Sequence, residues 1–517
     1  MPVMSNFKIP TINEILDLSE IRTKQDKALV TKAYEFSKQA HKGQKRYSGA
    51  PYFQHVAIVA GYLAELGMQA PIVCAGLLHD TVEDTDIELT DIEEKFSKEI
   101  AMLVDGVTKL GDVRYKGTDR HVESLRKFFA ATATDIRVLI IKLMDRLHNV
   151  RTLQFVPENK RERIAKETLE IYAPIAFRLG MSILQKDLED ASFQYAIPTE
   201  YRKVAEILKT RRAETKKWLD KAQKDIRTEL AKDGIRNFRT QTRVKGIYSL
   251  YKKLIAKDWD ETLINDILAL RIIVGTVDDC YKVFGVAHKI WTPAPGRIKD
   301  YISSPKLNGY QSIHTTVKTD IGGFLEVQIR TEDMHREAQY GLAAHMNYKT
   351  GRVTKSNGSV FGWISQFFPS KNTCDHREHA ANVLNDETCE DHTDSPHWIK
   401  LLAESQEEED GNYMQDLKDD FFSHRIFVFT PSGDVIDLPV GATPIDFAYC
   451  VHSDIGDSVA SVKIDGKMAA LSTCLENGNI VDVTTNKSSH PTLKWLDFVK
   501  TSLAKRKIRV YIQENSK

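Results

Sequence analysis

Two short runs of this 517-residue chain carry metal-ligating side chains at suggestive spacings. The apolar stretch VCAGLLHDTVEDT ends in His79-Asp80 and continues to Glu83-Asp84. On one helix, His79 and Glu83 are four apart, as are Asp80 and Asp84, so all four project toward one mouth. His55 stands upstream in PYFQHVAIVA. Downstream, Asp145 stands in IKLMDRLHN, with Asn149 and Thr152 on the following turn. Two imidazoles and two carboxylates from three core helices make a borderline-hard donor set, better suited to Mn²⁺ or another divalent ion than to a structural zinc held by thiolates. A metal held by His55, His79, Asp80 and Asp145 can lower the pKa of bound water and polarise a phosphorus–oxygen bond, while Glu83 and Asp84 position the water or shuttle its proton. Each pair alone has a plain structural reading: His79-Asp80 as a helix cap, or Asp145 paired with Arg146 or Arg151. The whole constellation points to a catalytic metal.

A second group is chemically different. GRIKDYISSPKLNGYQSIHTT, residues 296–316, crowds Arg297, Lys299, Lys306, Asn308, Tyr310, Gln311 and His314 into what reads as a loop running into a strand. Asp266 precedes ILALRIIV, and LEVQIRT alternates so that Glu326, Gln328 and Arg330 share one face and Leu325, Val327 and Ile329 the other. A carboxylate on each of two strands can hold Mg²⁺ against a triphosphate. Arg297, Lys299, Lys306 and His314 can offset charge on a migrating pyrophosphoryl group, and Tyr310 can stack on a base. A solvated basic loop with a core tyrosine explains any one of these residues but not the set.

The elements that must position them fall into zones. Residues 1–200 alternate apolar and charged positions at helical spacing, as in DIRVLIIKLMDRLHNVRTL, and predict an all-α domain. Residues 201–350 begin with a helical lead-in and become mixed, with ILALRIIV and LEVQIRT as strands and DMHREAQYGLAAHM as a helix, predicting an α/β domain. Residues 351–424, including SKNTCDHREHA and ESQEEEDGN, read as a linker carrying short helices. Residues 425–486 read as a small β-rich module whose P-S-G-D is a turn between strands, and 487–517 as a C-terminal helical remnant.

Composition narrows the class. At 42% hydrophobic and 28% charged residues the chain is globular and large enough for about three domains. Lys+Arg and Asp+Glu are equal at 72 each, so any nucleic-acid or anion site is local rather than a whole-molecule field. The six cysteines are scattered and form no C-x-x-C, which suits reduced thiols and a cytoplasmic setting. The N-terminus MPVMSNFKIP lacks a signal-like pattern, and no apolar run approaches a membrane span. Cys374, His376, His379, Cys389, His392 and His397 crowd the linker, but their spacing fits no zinc-finger pattern, and a polar insert is the favoured reading.

His55, His79-Asp80, Glu83-Asp84 and Asp145 in D-R-L-H-N, followed by ETLEIYAPIAFRLG, resemble the HD-type hydrolase domain of the Rel/SpoT family of alarmone synthetase/hydrolases. The resemblance runs over nearly the whole chain. It implies Mn²⁺-dependent removal of the 3′ pyrophosphate from ppGpp or pppGpp, and RYSGAPY matches the family's base-contacting stretch, placing Arg46 against guanine. Asn149 and Thr152 join it as substrate contacts. Tyr47 stands where a basic residue is common, and Val56 where proline is common. The second group resembles the family's nucleotidyltransferase-like synthetase domain, which moves pyrophosphate from ATP to the 3′ hydroxyl of GDP or GTP. Asp266 is then implied to bind Mg²⁺, Glu326 to bind metal or activate the hydroxyl, and Tyr310 to meet the acceptor guanine. Arg243 and Lys245 match positions near ATP, and Asn308, Gln311 and Gln328 complete the polar lining.

R-I-K-D at 297–300 matches the R-x-K-D of family members that keep both activities. Opposed activities on one chain imply a switch that excludes one while the other runs. The module at 425–486 resembles a β-grasp TGS domain, with His452 at the histidine implied to meet deacylated tRNA at the ribosome. Two alternatives stand beside the bifunctional enzyme: a hydrolase-dominant member with a weak or inactive synthetase, and a non-catalytic tRNA or ribosome adaptor using the TGS module.

Overall fold

The computed structural model describes residues 9–108, 135–261, 264, 267–306, 309–319, 323–341, 343–344, 425–431, 435–476, 478–486 and 488–515. Asp266, Asn308 and the Cys/His-rich linker segment lie outside them. Contacts divide the chain into two compact units: one contains residues 9–344 of the described set, the other residues 425–515.

The first unit opens with helices α1 (Ile12–Leu18), α2 (Lys24–Ala40), α3 (Phe53–Glu65), α4 (Ala70–Leu78), α5 (Thr81–Asp84), α6 (Leu89–Lys95), α7 (Lys98–Thr108), α8 (Ile136–Arg151), α9 (Glu158–Glu167), α10 (Ala173–Arg178) and α11 (Ser182–Ala196). Helices α3 and α4 are apolar nearly all round, so both sit in the core. Close approach between them needs a small residue: a Cβ on Gly76 would lie 2.4 Å from Leu63 Cδ1. Gly106 does the same for α7 against Val138 of α8, where a Cβ would meet Cγ2 at 2.7 Å. These crossings bring the ends of α3 and α4 beside the middle of α8. The run through HDTVED is not one helix. Helix α4 stops at Leu78, His79 and Asp80 form the junction, and α5 is a single short turn.

A long helix, α12 (Pro198–Lys232), leads into β1 (Phe238–Val244), α13 (Ile247–Ile255), β2 (Leu268–Val274), α14 (Val277–Ile290), β3 (Thr292–Asp300), β4 (Ile313–Lys318), β5 (Phe324–Thr331) and α15 (Glu332–Tyr340). The sheet order is β1-β2-β5-β4-β3, with β2 and β5 parallel and the other pairs antiparallel. Leu270, Ile272, Leu325, Val327, Ile329, Ile313 and Val317 face a core shared with Ile226 of α12 and Val283 of α14. Arg297 and Lys299 lie on β3 rather than in a loop. Pro293, Pro295 and Gly296 disguise that strand in the sequence, and its edge position tolerates them.

Helix α11 carries the contacts between the helical bundle and the sheet domain. Buried Glu189 receives Lys252 Nζ at 2.8 Å, and Asp190 Oδ1 accepts the Tyr248 amide at 3.2 Å, in the first turn of α13, where its own N-cap Gly246 has no side chain to offer. Gly341, at φ +55, ends α15 against the bundle: a Cβ there would lie 2.1 Å from the Leu179 carbonyl oxygen. The helix expected through DMHREAQYGLAAHM therefore stops at Tyr340.

In the second unit β6 (Arg425–Phe429) pairs with β7 (Val435–Pro439), and β8 (Val459–Ile464) lies between β9 (Lys467–Ala469) and β10 (Val481–Thr485). Residues 432–434 of the expected P-S-G-D turn lie outside the described set. Helices α16 (Pro444–Val451) and α17 (Ser453–Asp457) follow β7, and α18 (Ser502–Asn515) closes the described chain. The C-terminal segment is an integral layer. Ala504 and Ile508 of α18 pack with Ile445 and Tyr449 of α16, and fully buried Asp446 accepts the amides of Lys500 and Thr501 at 2.9 and 2.7 Å. Among the described residues no helix is long and apolar enough to cross a membrane.

Candidate active sites

Helices α3, α4 and α8 assemble the first site. Ligand-type atoms of His55, His79 and Asp80 all lie within 4.8 Å of one another. His55 Nε2 lies 3.4 Å from Asp80 Oδ2 and 3.2 Å from Asp145 Oδ1. His79 directs Nδ1 to the Gly76 carbonyl at 2.9 Å, which leaves its buried Nε2 facing Asp80 without a hydrogen-bond partner. That carbonyl requires an Nδ1–H, so Nε2 presents a lone pair in the neutral ring. Burial would drive a proton off His79, yet Asp80 and Asp145 outweigh it and hold the imidazole up at about 9. Burial likewise works against charge on Asp80 and Asp145. The imidazoles around Asp80, and Lys142 with His55 and His79 around Asp145, keep both carboxyls well below the usual range. Two ionised carboxylates thus draw positive charge into the core, from Lys142 and a protonated His79, and a divalent cation would take over that role once His79 gave up the Nε2 proton and presented its lone pair. The donor set fits a divalent cation.

The surroundings separate this site from an ordinary ion-pair network. Arg146 pairs with Glu167 at 2.8 Å and Arg151 with Asp187 at 2.7 Å, so neither is the partner of Asp145. Asp145 instead meets Lys142 Nζ at 2.8 Å and Asn149 Nδ2 at 2.5 Å. Asn149 also accepts from Arg46 Nη2 at 2.7 Å, which draws Arg46 to the mouth, 5.5 Å above the Tyr52 ring. Glu83 is half-buried and Asp84 exposed on α5, and Thr152 donates to the His148 carbonyl at 2.9 Å. Sequence reasoning passed over three supporting residues. Tyr52 donates to Asp80, Lys142 to Asp145, and His148 lies 2.7 Å from His55, Nδ1 to Nδ1. His148 and Lys142 flank Asp145 at helical spacing, which was a readable signal.

The second site is one face of the sheet. Register partners run laterally through Gln241, Arg271, Gln328, His314 and Lys299, from β1 to β3. Glu326 stands one step along β5, opposite Thr316 and Ala269, and Arg330 one step the other way. Glu326 Oε1 accepts from Gln328 Nε2 at 3.2 Å and lies 2.9 Å from His314 Nδ1, whose Nε2 lies 2.8 Å from the Tyr310 hydroxyl. Lys306 Nζ stands 4.6 Å from the Tyr301 ring centre and 5.5 Å from that of Tyr310. Gln311 donates to the Ile302 carbonyl at 3.4 Å, and the Lys245 amide to that of Ile267 at 3.0 Å. Arg243, Arg297 and Lys299 are exposed.

Arg330 lies on this face as the alternation of LEVQIRT implied, whereas Arg271 and His335, which also belong to it, were missed. Burial and neighbouring arginines push Arg271 down to about 9, and burial pulls Arg330 down to about 10. Such crowding of cations around one carboxylate suits a polyanionic ligand. Arg271 left a trace in the sequence, as the charged residue interrupting the apolar run ILALRIIV. In the second unit His452 is exposed and its Nδ1 accepts the Asp454 amide at 3.2 Å, capping α17.

Three family models match the chain: an HD domain over residues 33–182, a region found in RelA / SpoT proteins over 242–353, and a TGS domain over 426–485. Among curated relatives, a GTP pyrophosphokinase of Myxococcus xanthus is 40% identical over 505 residues, covering 97% of this chain and 62% of the relative. A guanosine-3′,5′-bis(diphosphate) 3′-pyrophosphohydrolase of Aquifex aeolicus is 41% identical, covering 94% of this chain and 65% of the relative. The bifunctional (p)ppGpp synthase/hydrolase SpoT of Escherichia coli is 39% identical, covering 92% and 64%. The chain therefore spans somewhat under two thirds of the length of these relatives.

Proposed function

Since the chain belongs to the Rel/SpoT family, we propose that it is a bifunctional alarmone enzyme. One site converts ppGpp and water to GDP and pyrophosphate. The other converts ATP and GDP to AMP and ppGpp, with GTP and pppGpp as the analogous pair. The observation that carries this reading is the coexistence, in one compact unit, of the His55–His79–Asp80 cluster and the cationic sheet face around Glu326.

In the hydrolase, His55, His79, Asp80 and Asp145 would hold Mn²⁺, which would supply Lewis acidity toward water and the 3′ phosphoryl group. Arg46 packs on the guanine, and Asn149 ties Arg46 to Asp145. Glu83 and Asp84, at the mouth, receive and pass on the proton of the attacking water. In the synthetase, Glu326 and Asp266 would hold Mg²⁺, which would supply charge neutralisation to the triphosphate. Arg243 and Lys245 bind ATP. Tyr310 stacks on the acceptor guanine, while Glu326, oriented by His314 and Gln328, accepts hydrogen-bonding or proton demand from the 3′ hydroxyl. Arg297, Lys299, Lys306, Asn308 and Gln311 surround the phosphates and acceptor. The TGS module, through exposed His452, reads deacylated tRNA on the ribosome, and the chain works in the cytoplasm.

Purified protein supplied with Mg²⁺, ATP and GDP should form ppGpp and AMP, and with Mn²⁺ and ppGpp should release pyrophosphate. Hydrolysis alone would leave the hydrolase-dominant reading, and inactivity in both directions the adaptor.

A further inference from the structure

Arg330 is a buried cation without a carboxylate in ion-pair contact among the described residues. Its side chain is among the largest of those fully enclosed, and its Nε has no hydrogen-bond partner there. Desolvating a guanidinium without an anion is costly, so something in the site must make use of the charge and its shape. Two neighbours define that use. The guanidinium carbon stands 5.9 Å from the centre of the Tyr310 ring, within cation–π range. Nη2 lies 2.7 Å from His335 Nδ1.

Arginine has no acceptor atom, so this contact requires the lone pair of His335 at Nδ1 and places the ring proton on Nε2. The backbone enforces the meeting. Thr331 caps α15 by accepting the Met334 amide at 3.2 Å, so the helix starts at Glu332, two residues beyond Arg330, and the close of its first turn brings His335 back to the strand end. His335 is 4% exposed and makes no other side-chain hydrogen bond among the described residues. Tyr310 is thereby fixed at two points, its hydroxyl by His314 and its ring by Arg330.

We propose that His335 is a positioning residue of the synthetase centre: by accepting from Arg330 it holds the guanidinium against Tyr310, and so sets the ring on which the acceptor guanine stacks. The inference rests on the bifunctional reading, in which Tyr310 meets the acceptor. His335 itself touches neither nucleotide, and its loss acts on acceptor binding rather than on ATP.

The test uses His335→Leu, which removes the acceptor, and His335→Asn, whose Oδ1 can take the place of Nδ1. The Leu variant should raise the KM for GDP about tenfold while leaving the KM for ATP within about twofold, and the Asn variant should recover most of the loss. Calorimetric GDP binding without ATP should show the same order, and ppGpp hydrolysis should be unchanged in all forms. Equal losses toward ATP and GDP, unaltered GDP affinity, or an Asn variant as defective as Leu would overturn the proposal. If the Leu variant fails to fold by circular dichroism, Arg330→Met takes its place, and an unaltered GDP affinity there has the same force. An Asp80→Asn protein with His335 intact that makes no ppGpp removes the synthetase reading and the proposal with it; synthesis with no effect of His335 removes the proposal alone.

Discussion

Tyr52 donates its hydroxyl hydrogen to Oδ2 of Asp80 at 2.8 Å, tying the start of α3 to the acidic member of the candidate metal cluster. Burial and the adjacent carboxylates push the phenol far above its usual range, so it remains a donor at any working pH. Hydrogen bonds to ligating carboxylates orient them and tune affinity. Tyr52→Phe should therefore weaken Mn²⁺ binding about tenfold with little change in fold. Free Mn²⁺ measured by electron paramagnetic resonance during titration reports this directly, and an unchanged dissociation constant would exclude the role.

For the acceptor, Tyr310→Ala should raise the KM for GDP or GTP far more than that for ATP, since stacking on an aromatic contributes roughly 1–3 kcal/mol. Steady-state synthesis with each nucleotide varied in turn separates the two. A folded variant that loses equally toward both would show that Tyr310 braces the site instead.

Gly341→Ala should cost at least about 2 kcal/mol, because its Cβ would collide with the Leu179 carbonyl as well as adopt a left-handed conformation. Gly296→Ala provides the control. Its φ of +67 imposes a similar backbone cost, but nothing lies within 4 Å of the added carbon. Denaturant unfolding of the two variants should place Gly341→Ala clearly lower, and equal losses would show that no wedge operates between α15 and the bundle.

Those glycines mark the limit of what the sequence disclosed. The His55, His79, Asp80 and Asp145 set was legible because charged and imidazole groups are conspicuous inside apolar helices. The two faces of β5 were legible because alternation there is strict, and Leu325, Val327 and Ile329 do enter the core. β3 was not, since proline and glycine conceal an edge strand. Nor was the contact between Arg330 and His335, which depends on where a strand ends and a helix turns back. The single-helix reading of HDTVED failed because nothing in the residue types marks the break: His79 and Asp80 are compatible with helix, yet the turn loosens at Asp80, with φ −97 and ψ −1, before α5 begins.

Acid should act on the sheet domain through its buried imidazoles. Burial, with nearby Arg330, Arg271 and Arg239, holds His335 down at about 3, and burial lowers His314 as well. A histidine with a folded pKa below its unfolded value takes up its proton preferentially on unfolding, so stability is complete above about pH 6.5 and declines as pH falls toward the folded value. The Tm of wild type should fall more steeply between pH 7.5 and 5 than that of His335→Asn. Parallel Tm curves for the two proteins over that range would contradict the assignment of a neutral, buried His335.

Two catalytic centres built from separate residues on one chain should be separable by crossed single substitutions. Asp80→Asn removes a charged member of the candidate metal cluster, and Glu326→Gln removes the carboxylate held by His314 and Gln328. Both activities are measured on both folded variants at saturating nucleotide. Asp80→Asn should lose ppGpp hydrolysis while still synthesising ppGpp, and Glu326→Gln should show the reverse. Loss of both activities in either variant, or Mn²⁺-dependent hydrolysis that survives Asp80→Asn, would contradict that separation.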